Sequence, residues 1–499
     1  MTFKLKLAPL LTALVLISSS CDTFLDINTS PNNLLTAPIS QVLTSAAVNV
    51  GFTGGSDLSR FSNLLVQQFA GQAGPGTQTS IYQTYVIQPT DVNNVYGSIY
   101  ATTLSDLDYV ISNSTGSPHY SGIAKILKAY SFQQVLDTFG DIPYTEAGLG
   151  TANTQPKFDD DEQVYRQLFT LLDQGISEVS ATQSALSPTA NDVIFAGDRT
   201  KWAKFANTLK LRLLLHYSEK DNAYLKQQMT ALIGSNVQFM QSNSDNFQMT
   251  FGTDVGKQNP IYQFDVSRAD YLFPNSFLVN LMNTNTDPRR PRYFTPFPYT
   301  TNLAQAQYKG STPGDDQSIN YSRFGEYLFG ARTNTTTTIT PNAQGGITST
   351  VIQYSGSAPV RMLTFAEYNF IRAEAALRFQ VTGDAQTFYQ AGIRASMQAA
   401  GVADADITSY LARRGTLTGT AAQQLQQLIE EKYVANLSVS VENWTDWRRT
   451  GYPAIRPVAN GVITQIPRVL YYPQSETDRN LNTPKRASLT ERVFWDTRQ

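Results

Sequence analysis

The sequence is poor in the residues from which catalysis is usually built. Its 499 residues include two histidines and one cysteine. His119 follows a proline in a loop ahead of a long apolar segment. His216 lies inside an apolar helical pattern, where a core imidazole satisfied by its neighbours is the plain reading. Cys21 stands directly behind an export signal, so no Cys–His nucleophile pair is expected, and the ligand set for a His-rich zinc site is missing. No G-x-S-x-G elbow, P-loop or dinucleotide fingerprint occurs. Carboxylate pairs are a separate matter, because a glycosidase needs only two at a set distance in space. Three clusters qualify by sequence: Asp159–Asp161, Asp315 with Asp316, and Glu430 with Glu431. The first fits a helix start, the second a Gly-Pro turn and the third a solvated helix face. Asp315 and Asp316 have the oxygen ligands that calcium takes, but no EF-hand spacing supports them. The expectation is a protein with no catalytic residues, no metal and no cofactor.

Binding has better candidates. The C–H faces of sugar rings pack on aromatic side chains, while Asn, Gln and Asp bond the hydroxyls. Aromatic residues in irregular segments are therefore the natural platform. Tyr82 and Tyr85 lie in one such segment, Tyr262, Phe264 and Tyr271 in a second, and Tyr321, Phe324 and Tyr327 in a third. The competing reading is that each ring packs its own loop onto the body.

Long helical patterns must position these segments. Gly122–Ala147 opens with Ile123, Ile126, Leu127 and Tyr130 at helical spacing, and Phe132, Val135, Leu136 and Phe139 repeat the pattern on a neighbouring arc. Two apolar arcs predict a central helix buried on most sides. Gly140 and Pro143 end it, and Asp159–Asp161 open the next helix as caps and dipole partners. Helical patterns also cover about 38–48, 57–70, 92–111, 162–179, 202–217, 364–400 and 421–435. Between about 235 and 360 the pattern fails, and so long an irregular insert inside a folded chain points to function or disorder.

Composition narrows the partner. Lys plus Arg at 38 nearly cancels Asp plus Glu at 40, and charged residues make up only 16% of the chain, against roughly 25% in a typical soluble protein. This balance argues against nucleic acid. Lys4 and Lys6 followed by apolar Leu7–Ile17 form an export signal too short to span a bilayer. Residues 1–20 read as a lipoprotein signal peptide, Cys21 as the lipidated residue, and 21–37 as a tether leading into one domain over 38–499. Ser18 departs from the leucine usual three residues before the cysteine. No later apolar run is long enough to cross a membrane, so the chain reads as anchored to a membrane by lipid.

Several stretches carry a family resemblance. LKAYSFQQVLDTFGDIPYTEA and PKFDDDEQVYRQLFTLLDQ resemble the SusD/RagB family, and so do FLDINTSPNN, FAGDRTKWAKFANTLKLRLLLH, VENWTDWRRTGYP, IPRVLYYPQSE and the closing RVFWD. Within that family the chain is most similar to the SusD-like branch of nutrient-binding outer-membrane lipoproteins. The resemblance implies a mainly α fold of four tetratricopeptide-repeat-like helix pairs, here at roughly 38–70, 92–139, 162–217 and 364–400, with a loop-rich insert and a few short strands. Ala385, Tyr389 and Gly392 match part of such a repeat. The resemblance further implies an outer-membrane, surface-exposed protein that binds a nutrient and delivers it to a SusC-like TonB-dependent transporter. An oligosaccharide or polysaccharide is the expected ligand; a peptide, or hydrolysis of a glycoside on the same scaffold, is the alternative. Trp444, Trp447, Arg448 and Arg449, beside Asp446, fall in a family motif and read as structural. Ligand contacts would come from the aromatic segments named above.

Overall fold

The computed structural model describes residues 36–71, 77–313, 320–340 and 347–498. Cys21, the expected signal peptide, nearly all of the expected tether and the Asp315–Asp316 pair lie outside the described residues.

The architecture is mainly helical. The first pair is α1 (Ile39–Gly55) and α2 (Asp57–Leu65). The second starts as one continuous helical run in which Asn93–Gly97 passes through a π segment, Ser98–Leu104, into α3 (Ser105–Asn113). It returns as α4 (Pro118–Phe139). The third pair is α5 (Asp161–Val179) and α6 (Arg199–His216), the fourth α7 (Phe365–Phe379) and α8 (Ala385–Ala399). Then come α9 (Asp404–Arg414), α10 (Ala421–Ala435) and α11 (Glu442–Thr450). The four expected pairs are all present.

Helix α4 is the centre. Nineteen of its 22 residues are buried, because α1, α3, α5 and α6 all pack against it. It starts at Pro118, whose fixed φ and missing N–H suit a first helical turn. His119 is therefore in that first turn, not in a loop. It is held by Ser187 Oγ at 2.7 Å, the Ala181 carbonyl at 2.8 Å and Arg199 at 2.8 Å. Gly140, at φ +76°, ends the helix. The loop that follows is tied down by Asp159, whose carboxylate accepts from the Tyr144 and Thr145 N–H groups at 3.1 and 2.7 Å. Asp160 caps α5 by accepting from Gln163 N–H at 2.9 Å. The acidic run thus works as a helix start.

The expectation of an irregular insert is corrected in part. Between 235 and 360 lie the short helices Pro260–Ser267 and Ser276–Thr284 and most of the strands. Helices of eight or nine residues are too brief for a periodic pattern to register. Among the described residues the strands form three two-stranded antiparallel ribbons. β1 (Phe69–Gly71) pairs with β3 (Leu272–Pro274), β2 (Phe247–Met249) with β6 (Val360–Leu363), and β4 (Arg332–Thr340) with β5 (Ile347–Tyr354).

The scaffold is locked by buried charge. Arg212 on α6 donates to Glu367 on α7 at 2.7 and 2.8 Å, and Arg449 on α11 grips Glu374 on α7 through both nitrogens at 2.5 Å. Lys432 on α10 reaches Asp446 at 2.8 Å and Glu442 at 3.2 Å. His216 sits between Asp137 at 3.5 Å and Glu442 at 3.4 Å. The structural reading of the Trp444–Arg449 motif fits this setting. Trp444 Nε1 donates to the Pro467 carbonyl, and Arg448 lies 3.9 Å over Trp444 and 4.6 Å over Trp495. The solvated face expected for Glu430 and Glu431 is corrected for Glu431. That side chain is buried and accepts from Arg289 at 2.8 Å and Tyr410 at 2.5 Å. Arg289 arrives from a distant part of the chain, which no local pattern shows.

A candidate ligand-binding face

The pairing of β1 with β3 joins two of the segments singled out for their aromatic residues. Phe69 lies opposite Pro274 and Gly71 opposite Leu272. Thr79 Oγ1 bonds the Tyr271 carbonyl at 2.7 Å, and Gln83 bonds both backbone groups of Gly71 at 2.8 and 3.2 Å. Gly71 is required here: a Cβ would sit 2.4 Å from the Thr79 carbonyl. The third segment follows through Phe324, whose ring packs on Phe69 at 5.0 Å.

The rings themselves are mostly not free. Tyr82 and Tyr85 are each 2% exposed, Phe324 1%, Phe264 5%, Tyr327 6% and Tyr321 7%. The expectation that these aromatics stand clear of the core is corrected for all six. Tyr82 stacks on Phe61 at 4.1 Å, Tyr85 accepts from Val458 N–H at 3.0 Å, and Tyr321 meets Phe273 edge-on at 6.1 Å. Their partners lie far away in sequence or on helices already committed to the core. Tyr262 and Tyr271 remain half-exposed.

Near Tyr271 lies a set of charged groups that aromatic spacing did not reveal. Arg60 lies 4.2 Å and Arg268 5.0 Å from the centre of the Phe264 ring, and Tyr271 meets that ring edge-on at 6.2 Å. Arg60 is ion-paired with Asp57, and Arg323 with Asp270; Arg323 also covers Phe273 at 4.2 Å. Arg268 has no carboxylate partner among the described residues. Burial lowers the Arg60 guanidinium, with Asp57 pulling the other way. Burial lifts the half-buried Asp265 carboxyl to about 6, against the pull of Arg323. Asp270 takes φ +67°, a left-handed position that short polar side chains tolerate. Cations thus cover the buried rings of Phe264 and Phe273, Tyr271 stands at the edge of Phe264, and nothing in the set forms a nucleophile with a base.

A stack of helix pairs carrying a loop-built aromatic and charged face defines a binding protein. The chain belongs to the SusD-like family, whose model, described as starch-binding and associating with the outer membrane, matches residues 31–473. Solved structures agree on the fold. A chitin-binding protein superposes with a TM-score of 0.76 at 24% identity, covering 92% of this chain and all of its own. A chitin-binding SusD homologue from Flavobacterium johnsoniae gives 0.73 at 22%, covering 92% and 99%. A SusD-like protein from Bacteroides thetaiotaomicron gives 0.73 at 23%, covering 92% and 98%. No curated protein matches the sequence. The family is one of binding proteins, not enzymes.

Proposed function

We propose that this protein captures an oligosaccharide or polysaccharide at the cell surface and passes it to a SusC-like TonB-dependent transporter. In this reading Cys21 carries the lipid that holds it on the outer membrane. The observation that carries the ligand assignment is the pairing of β1 with β3, which joins two of the aromatic segments; the third packs on through Phe324 and Phe69, and Tyr262 and Tyr271 stay half-exposed. The family description and the names of the two chitin-binding relatives support a glycan. So does the near-neutral chain. Tyr82, Tyr85, Phe264, Tyr321 and Phe324 serve the face as its supporting layer, and Tyr262 and Tyr271 as its contact rings.

Titration calorimetry with starch, chitin and other glycan fragments, beside a panel of peptides, tests this. Tyr271→Ala and Tyr262→Ala should weaken glycan binding by about 1–3 kcal/mol each, on the scale measured for stacking of rings on nucleic-acid bases. Glycan recovered intact after incubation is expected. Retention of peptides in place of glycans, or cleavage of a bound glycan, overturns the reading.

A further inference from the structure

Where α1, α2, the π segment and α4 meet lies a cavity of about 20 Å³, with Thr53, Gly54, Thr103, Tyr130, Ser131 and Gln134 in its wall. Two polar atoms of that wall have no hydrogen-bond partner among the described residues, the Tyr130 hydroxyl and Gln134 Oε1. Both side chains are buried. They lie four residues apart on α4, so one face of the helix presents both. The Tyr130 hydroxyl stands 3.9 Å from the place a Cβ on Gly54 would take, which sets it against the α1 wall. Arg212, whose charge acts on that hydroxyl, gives its hydrogen bonds to Glu367 and the Met362 carbonyl. Native proteins rarely leave such atoms unsatisfied, and each one needs an explanation.

The amide of Gln134 is not free to turn round. Asp137 fixes it from a distance: its carboxylate accepts from Trp495 Nε1, which can only donate, at 2.9 Å. Gln133 Nε2 donates to the same carboxylate at 2.6 Å, so Gln133 Oε1 points the other way. Gln134 Nε2 donates to that oxygen at 2.8 Å. Gln134 Oε1 is left over at the cavity and needs a donor. We propose that the cavity holds one ordered water, which donates to Gln134 Oε1 and bonds the Tyr130 hydroxyl. A buried water needs about 10–15 Å³ and makes about three hydrogen bonds. The volume suffices for one. Thr103 Oγ1 and Ser131 Oγ donate to the Ser98 and Leu127 carbonyls at 3.1 and 2.9 Å, and each keeps lone pairs for the water's second proton. The water is the far end of a hydrogen-bond chain that runs through Gln134 and Gln133 to Asp137, 3.5 Å from His216. It ties the junction of the first two helix pairs to the buried charges that lock the scaffold.

A high-resolution crystal structure of the protein, a second crystal under xenon pressure, and thermal melts of the parent and Tyr130→Phe test this. Density for one water within hydrogen-bond distance of Gln134 Oε1 and the Tyr130 hydroxyl is expected. Xenon enters dry apolar cavities, so the site should stay closed to it. Tyr130→Phe keeps the ring and removes only the hydroxyl. It should lower the melting temperature by about 1–2 °C, because the water loses one of its bonds. An unpaired hydroxyl predicts the opposite sign, since its removal relieves a buried unsatisfied atom. A site without water, xenon in its place, or a Tyr130→Phe chain that melts at or above the parent overturns the inference.

Discussion

His216 shows how strongly a single buried residue depends on partners that sequence does not reveal. Sequence marks it as a core histidine, and so it is; what sequence does not show is the pair of carboxylates around it. Burial would lower its basicity, but Asp137 and Glu442 hold the imidazolium and carry it up to about 9. Tyr165 adds a hydrogen bond at 2.5 Å. A group raised above its unfolded value of 6.5 contributes stability fully below pH 6.5, and that contribution is lost as pH rises through about 9. The linkage is on the order of 3 kcal/mol. Glu374 works in the opposite direction. Arg449 and Arg378 overcome its burial and hold it at about 2, so its contribution is present above pH 4.5 and lost as pH falls toward 2. Denaturant midpoints from pH 6 to 9.5, with the imidazole resonances of His216 followed by NMR, check the alkaline limb. A ring that titrates at or below 6.5 would show that the two carboxylates do not hold its proton.

At the scale of elements, the long helices were legible because burial on one or more faces imposes a period that many residues repeat. The two apolar arcs of α4 predicted burial on most sides, and the structure shows it. The short helices between 235 and 360 were not legible because they are too brief to show a period, and two of the ribbons were not because their strands pair across long stretches of chain. Phe247, for example, pairs with Leu363. Close helix approach was also hidden. Gly122 on α4 and Gly175 on α5 let two backbones meet: a Cβ on Gly122 would lie 2.7 Å from the Val179 nitrogen, and one on Gly175 2.7 Å from Ile126. Gly122→Ala should therefore push α4 and α5 apart and destabilise the protein by about 1–3 kcal/mol. Gly97, in the helical run before α3, has nothing within 4 Å of a Cβ. There Gly97→Ala should stabilise by about 0.4–1 kcal/mol. Opposite shifts in the two thermal melts are the expected result; a destabilised Gly97→Ala or a neutral Gly122→Ala would contradict the packing described.

At the scale of the whole molecule, the family was legible from several long stretches in order, because a scaffold shared by a family repeats its packing demands. The candidate site was legible only as segments. Tyr82 and Phe324 looked like contact rings because local sequence cannot show that Phe61 and Phe69 cover them. The membrane attachment is argued from other features. No helix among the described residues is long and apolar enough to cross a bilayer, and the chain holds a single cysteine, placed just after a basic and apolar leader. If that cysteine carries lipid, membrane attachment depends on one atom. A single acyl chain binds membranes only marginally and reversibly, so stable anchoring takes a second signal, either a further chain at Cys21 or a basic patch nearby. Cys21→Ala should abolish labelling by radioactive fatty acid and release the protein from the outer-membrane fraction in cells lacking the transporter. A variant that stays with the outer membrane in such cells would show that the folded body, not the lipid, holds it there.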